Sequence, residues 1–275
     1  MALKAMKSWI AAGLSLAVLG TGSTAFAAGA YESDYKMEHR HWHFKGAFGS
    51  YDVNAMQRGY QVYREVCASC HALEHLSFRH LGDKNAPWGY TKDYPNPNDN
   101  PFVKTFAADW VIEDIDSETG DVIERPGTPA DKFPPIYPND AAARGSNGGA
   151  LPPDLSVMVS ARGGGADYLY NLLVAYNAEK PDDIKLTPGL HYNPVMDGGK
   201  IAMAAPLSDG LVDYADGTEA TVEQMAADVT EFLAWASDPK LPQRKSAGFA
   251  TMMYLLILSI LLWFSYQRVW KNVEH

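Results

Sequence analysis

Two cysteines and one histidine carry the most specific chemistry in this 275-residue chain. They stand in Cys67-Ala68-Ser69-Cys70-His71, and no other cysteine is present. The C-x-x-C-H pattern is that of c-type haem attachment. Each thiol adds across a vinyl group of the ring, and the adjacent His71 then supplies an imidazole beneath the iron. A redox dithiol or half of a zinc site uses the same C-x-x-C spacing. Zinc needs further ligands, and no second cysteine pair exists. A thioredoxin-like dithiol belongs in a βαβ unit, which the surrounding pattern lacks. One covalently bound haem c is the expected cofactor.

The sixth iron position decides what such a haem does. A six-coordinate haem transfers electrons, whereas an open site binds or activates small ligands. A thioether there raises the potential relative to a second imidazole. Of ten methionines, Met1 and Met6 lie in an N-terminal apolar segment and Met252 and Met253 in a C-terminal one. Met56 and Met225 fall on helix faces and read as core. Met37 precedes the haem motif. Met158, Met196 and Met203 remain. Met203 is the first candidate: Lys200-Ile201-Ala202-Met203-Ala204-Ala205-Pro206 has small neighbours and a stiffening proline. Met196, in Pro194-Val195-Met196-Asp197-Gly198, is the second.

The elements that must position these groups are mostly helical. Residues 54–66 read as a helix running into the haem motif, with Asn54 as N-cap, Gln57 three positions on, and Met56, Tyr60, Tyr63 and Cys67 at helical spacing. Residues 167–177 read as a second, with Tyr168, Leu169, Leu172, Leu173 and Tyr176 on one face. Residues 221–235 read as a third, opened by a Thr221–Gln224 capping box. Before the second helix stands Arg162-Gly163-Gly164-Gly165. Arg162 is either a partner for a haem propionate or a solvated arginine in a turn, and the glycines permit close backbone approach to a ring. Residues 85–153 hold 11 of the 17 prolines and read as loop, except for a hairpin joining Trp110-Val111-Ile112 to Val122-Ile123-Glu124. A loop this long inside a domain is expected to line something functional. The aromatic stretch around His39-Arg40-His41-Trp42-His43-Phe44 reads as an extended packing segment rather than a metal site.

Both ends are apolar. Residues 1–27 pair a charged start with an apolar run and an Ala25-Phe26-Ala27 close, the form of an export signal cleaved after Ala27. Residues 247–266 carry no charge and span about 30 Å as a helix, the thickness of a bilayer core. The expected organisation is a signal peptide over 1–27, a periplasmic haem domain over 28–246, a transmembrane anchor over 247–266 and a cytoplasmic tail over 267–275 at a bacterial plasma membrane. The net charge of -10 disfavours nucleic acid and favours a basic partner. Eight acids lie within 107–131 beside the single base Arg125, and eight more within 201–239 with no Lys or Arg.

The chain resembles the cytochrome c1 family, the haem subunits of quinol–cytochrome c oxidoreductase (cytochrome bc1) complexes, over most of its length. The resemblance rests on Arg58-Gly59-Tyr60-Gln61-Val62-Tyr63, Arg125-Pro126-Gly127, Tyr137-Pro138-Asn139, the stretch Asn147-Gly148-Gly149-Ala150-Leu151-Pro152-Pro153-Asp154-Leu155-Ser156, the Met203 segment and the C-terminal anchor. It implies a mostly α, class I cytochrome c-like domain with long loops and one C-terminal transmembrane helix. It implies His71 and Met203 as axial ligands, Cys67 and Cys70 as the covalent attachment, Arg162 and Tyr168 at a haem propionate and Tyr63 near the ring. It further implies single-electron transfer from a Rieske iron–sulfur protein to a soluble cytochrome c, respiratory or photosynthetic, beside cytochrome b in a dimeric complex, with no catalysis by the subunit alone. Some bacterial members carry an extra cysteine pair near the methionine loop, and this chain has none. The rival readings are a haem c subunit of a terminal oxidase and, from another class, a haem peroxidase or gas sensor.

Overall fold

A computed structural model describes residues 35–89 and 92–272. The export signal expected over 1–27 and the last three residues of the tail lie outside the described residues. In chain order the elements are α1 (Val53–Glu65), α2 (Pro101–Ala108), the hairpin β1 (Val111–Ile115) and β2 (Val122–Pro126), α3 (Asp140–Ser146), α4 (Met158–Ala161) and α5 (Ala166–Val174). A short pair, β3 (His191–Tyr192) and β4 (Lys200–Ile201), follows, then α6 (Val222–Ser237) and α7 (Leu241–Trp270). The mostly helical class is as the sequence implies. The chain divides into a body, Tyr31–Ser246, and a terminal unit that contains Ala247–His275.

The core of the body is the crossing of α1 and α6. Gly59 makes that crossing close: a Cβ there would overlap the Asp228 carbonyl of α6. Arg58 beside it makes a two-pronged bond to Asp228, Nε to Oδ2 and Nη2 to Oδ1, each at 2.9 Å. Asp228 is 1% exposed, so this pair satisfies a charge that burial alone makes costly. Around it Tyr60 and Tyr63 of α1 pack on Phe232 of α6, and Tyr63 reaches Phe133 from the loop. Met56 and Met225 are fully buried, as their helix positions imply.

Several local expectations shift. The N-cap of α1 is Asp52, whose carboxylate accepts from the Asn54 and Ala55 amides, not Asn54. Thr221 caps α6 through the Gln224 amide, but the Gln224 side chain turns forward to Asp228 instead of closing a capping box. The buried face of α5 is Ala166, Leu169, Tyr170 and Leu173 together with Asp167 and Asn171, while Tyr168, Leu172 and Tyr176 are half-buried. The polar pair fastens the N-terminal segment. Trp42 Nε1 donates to Asp167 at 2.5 Å, Lys45 Nζ at 2.9 Å, and Asn171 brackets Glu38 through its amide and carbonyl. Burial opposes the Asp167 charge, yet the bonds from Trp42, Lys45 and His39 hold its carboxyl at about 2. Trp42 and Phe44 point inward and His39, His41 and His43 outward, which gives the extended packing segment its alternation.

The proline-rich region contains two helices that proline content hides. In α2, Asn100 caps and Pro101 occupies the first turn, where its missing N–H costs nothing. In α3, Asn139 caps by accepting from the Ala142 amide. The hairpin forms in the expected place, with Ile115 opposite Val122 and Val111 opposite Pro126. Residues 240–246, expected as a linker, are helical from Leu241 onward. Helix α7 is 30 residues long with mean hydropathy 2.0 over its most apolar window. Leu255, Ile257, Leu261 and Trp263 are each more than half exposed. A helix that is apolar all round and exposed along its length suits a membrane.

Candidate functional site

Helix α1 delivers the chain to Cys67 and stops there. Its last carbonyls pass into a single 3₁₀ turn, with the Cys70 and His71 amides both donating to the Cys67 carbonyl. This turn places Cys67, Cys70 and His71 on one short arc. Tyr63, one turn upstream, is fully buried and donates its hydroxyl to the His71 carbonyl at 3.2 Å. Burial drives its phenol far above the ordinary range, so it stays a donor. Burial, then the neighbouring Cys70, push the Cys67 thiol up to about 12.

A second segment runs beside the motif and locks it. Pro153 O lies 2.8 Å from His71 Nδ1. A carbonyl only accepts, so the proton resides on Nδ1 and Nε2 is left as the ligating nitrogen. Asp154 accepts from the Glu74 amide at 2.8 Å and from the Ser156 amide at 2.8 Å. The fully buried Ser156 accepts from the His75 amide through Oγ at 3.1 Å, and the Leu155 amide donates to the Ala72 carbonyl at 3.0 Å. Residues 153–156 and 71–75 are thus held together by four hydrogen bonds. Burial lowers the His71 pKa, against the Pro153 bond and the Asp154 charge. A neutral imidazole with one nitrogen fixed and the other available is what iron requires.

Pro152, Asp154 and the Tyr137-Pro138-Asn139 turn line one cleft of about 280 Å³ together with Cys70, Ala72 and Leu151. Two stretches singled out in the sequence therefore meet at the thiol. Asn147 joins them, donating Nδ2 to Tyr137 at 3.0 Å and to the Ala143 carbonyl at 2.7 Å. The proline-rich region supplies much of the lining of this cleft.

The methionine arm is built on α5. Asn193 is completely buried and donates Nδ2 to the Leu172 carbonyl at 2.8 Å. Tyr176, in the 3₁₀ turn that ends α5, donates its hydroxyl to the Met203 carbonyl at 3.0 Å. At the other end of α5, Tyr168 donates to the Met196 sulfur at 3.7 Å. The two candidate methionines are therefore engaged differently. The Met196 thioether already accepts a hydrogen bond, whereas among the described residues the Met203 thioether accepts none and is half-buried. Arg162 is exposed. The glycines after it form a left-handed turn, Gly164 at φ 86° and Gly165 at φ 58°, that feeds α5, so their backbone freedom serves that turn. Burial raises the Tyr168 pKa, the Arg162 charge lowering it and the Asp197 charge adding to it.

The donor set fits a covalent c-type haem: two uncrosslinked thiols, one oriented neutral imidazole and a thioether with no competing donor. Among the described residues no cluster of three His, Cys, Asp or Glu side chains forms an alternative metal site. A family profile described as the Cytochrome C1 family matches residues 42–273. The chain belongs to the cytochrome c1 family.

Similar proteins agree. Cytochrome c1 of Rhodospirillum rubrum is 36% identical, covering 98% of this chain and 98% of that protein. The mitochondrial cytochrome c1 haem protein of Saccharomyces cerevisiae is 42% identical over 85% of this chain and 72% of its own length. The cytochrome b/c1 of Bradyrhizobium diazoefficiens is 39% identical over 89% of this chain, which spans 37% of that longer protein. As a cytochrome c1 this chain carries a covalently attached haem c, transports electrons in a bc1-type complex beside cytochrome b and a Rieske protein, and is anchored by one apolar C-terminal helix. Asp154, Ser156, Tyr176 and Asn193 were not singled out for their roles in the sequence. The only signal for the first two was their place inside the motif stretch, and the last two bond through backbone carbonyls that no side-chain pattern reveals.

Proposed function

We propose that Cys67 and Cys70 would form the thioether links to the haem, that His71 Nε2 and the Met203 thioether would ligate its iron, and that Tyr63, Tyr168 and Arg162 would contact the ring and its propionates. The observation that carries this reading is the His71–Pro153 bond, which leaves Nε2 as the available nitrogen. When bound, the haem supplies a one-electron redox centre. The protein's part is to hold both ligands so that little moves when the charge changes. Tyr63 fixes the His71 carbonyl, residues 153–156 fix its ring, and Arg162 supplies positive charge toward a propionate. No side chain exchanges a proton with a substrate.

The electron arrives from the Rieske protein and leaves to a soluble c-type cytochrome that docks on an acidic surface, within a dimeric complex. Several acids already serve the fold. Arg125 binds Asp114 and Asp131, and Arg58 binds Asp228 and Asp216. Glu113, Glu118, Asp121 and Glu124 on the hairpin and Asp213 and Glu219 before α6 are exposed and offer the field that steers a basic partner. The body faces the periplasm, the export signal is cleaved after Ala27, the anchor crosses over 247–266 and residues 267–275 remain cytoplasmic. The test is the rate of haem oxidation by a soluble basic cytochrome c as salt is varied in the purified complex. The rate falls steeply between low and physiological salt. A rate indifferent to ionic strength contradicts the docking.

A further inference from the structure

The methionine arm has no disulfide to stiffen it, since the only cysteines lie in the haem motif. Its two short strands pair over just two positions, His191 with Ile201 and Tyr192 with Lys200. Between them the tip turns through Gly198 at φ 76° and Gly199 at φ 67°, both in the left-handed region. Two-residue pairing and a glycine tip would leave such an arm loose by itself.

The arm is instead bolted to one helix at two points. A helix leaves its last four carbonyls without intrahelical donors. One of these on α5, the Leu172 carbonyl, is taken by the buried Asn193 at 2.8 Å. The Asn193 side-chain Oδ1 in turn accepts from the Val195 amide at 3.0 Å, and its backbone amide closes the tip by donating to the Gly199 carbonyl at 3.1 Å. The second bolt is the Tyr176 hydroxyl on the Met203 carbonyl, at 3.0 Å. It fixes the backbone of the residue whose side chain is read as the ligand, and it leaves the sulfur unengaged.

We infer that Tyr176 and Asn193 are positioning residues that hold the Met203 thioether at the iron, doing through α5 what a cross-link would do in a disulfide-bearing arm. The inference rests on Met203 being the ligand. A positioned thioether re-forms its bond faster than a competitor enters, because the arm does not leave. Without the bolts the thioether competes from a wider range of positions, and other ligands displace it more readily.

The test is the sulfur-to-iron charge-transfer absorbance of the oxidised, haem-loaded full chain while pH is raised, since hydroxide and neutral amines then compete for iron. Wild type, Tyr176→Phe, Asn193→Ala and Met203→Leu are compared, with carbon monoxide binding to the reduced forms as a second readout. Losing one such hydrogen bond weakens ligation by about tenfold at most, so Tyr176→Phe gives up half the band up to about one pH unit below wild type. Asn193→Ala does the same, and both bind carbon monoxide where wild type does not. Normal midpoints in both variants, with the band absent in Met203→Leu, overturn the positioning role and leave the ligand standing. A band that persists in Met203→Leu overturns the ligand reading and this inference with it.

Discussion

The Pro153 carbonyl accepts the Nδ1 proton of His71 at 2.8 Å, and the residue after it, Asp154, ties the same segment to the Glu74 amide. One proline-rich strip thus sets the tautomer and the position of the proximal imidazole. Replacing Asp154 by alanine orphans two amides. A loss of about 1–3 kcal/mol is expected, read as a thermal midpoint of the haem-loaded body lower by several degrees. Asp154→Asn keeps acceptor capacity and loses less. Equal midpoints for Asp154→Ala and wild type would contradict the lock.

Arg162 is exposed beside Tyr168 at the start of α5. If its charge lies near a propionate, its removal favours the oxidised haem. Arg162→Gln therefore lowers the reduction potential, by up to about 59 mV for a tenfold change in a one-electron couple, less where solvent screens it. Arg162→Lys keeps most of the potential. A redox titration in which Arg162→Gln matches wild type removes Arg162 from the haem's surroundings.

Gly59 cannot carry a side chain without pushing the Asp228 carbonyl aside. Gly59→Ala is expected to destabilise the body by about 3 kcal/mol through overpacking at the α1–α6 crossing. Because α1 leads directly into Cys67, haem incorporation should fall too, measured as haem absorbance per mole of chain. Full incorporation and unchanged melting would show that the crossing can relax.

Glu231 is 3% exposed, and burial raises its carboxyl from the ordinary 4.5 to about 7, the bond from the Asp52 amide opposing and the Asp52 and Asp228 charges adding. Its folded-state pKa lies above the unfolded one, so its stabilisation is full below about pH 4.5 and is lost as pH rises through about 7. Glu231→Gln retains the acceptor for Asp52 and removes the titration. At pH 8 the variant should exceed wild type by about 3 kcal/mol, and at pH 4.5 the two should match. A constant difference across that range would show that Glu231 does not titrate there.

Much of this fold was legible beforehand, and the failures have local causes. The haem motif, the α1 and α6 stripes, the hairpin and the apolar anchor follow from spacing and composition. Prolines concealed α2 and α3, although Asn100-Pro101 and Asn139 are start signals of the kind that helices use. The polar face of α5 escaped because a buried Asp167 and Asn171 contradict apolar periodicity, and their partners, Trp42 and Glu38, lie more than 120 positions earlier. The choice between Met196 and Met203 was open from residue chemistry alone. In the fold Tyr168 donates to the Met196 sulfur, while Tyr176 holds Met203 by its carbonyl.

The central claim is ligation of the iron by His71 and Met203. The most direct measurement is a paired spectrum and redox titration of Met203→Leu and Met196→Leu in the haem-loaded full chain. Met203→Leu should lose the sulfur-to-iron charge-transfer band and show a markedly lower potential, while Met196→Leu keeps both. A Met203→Leu protein with the wild-type band and potential would contradict the account.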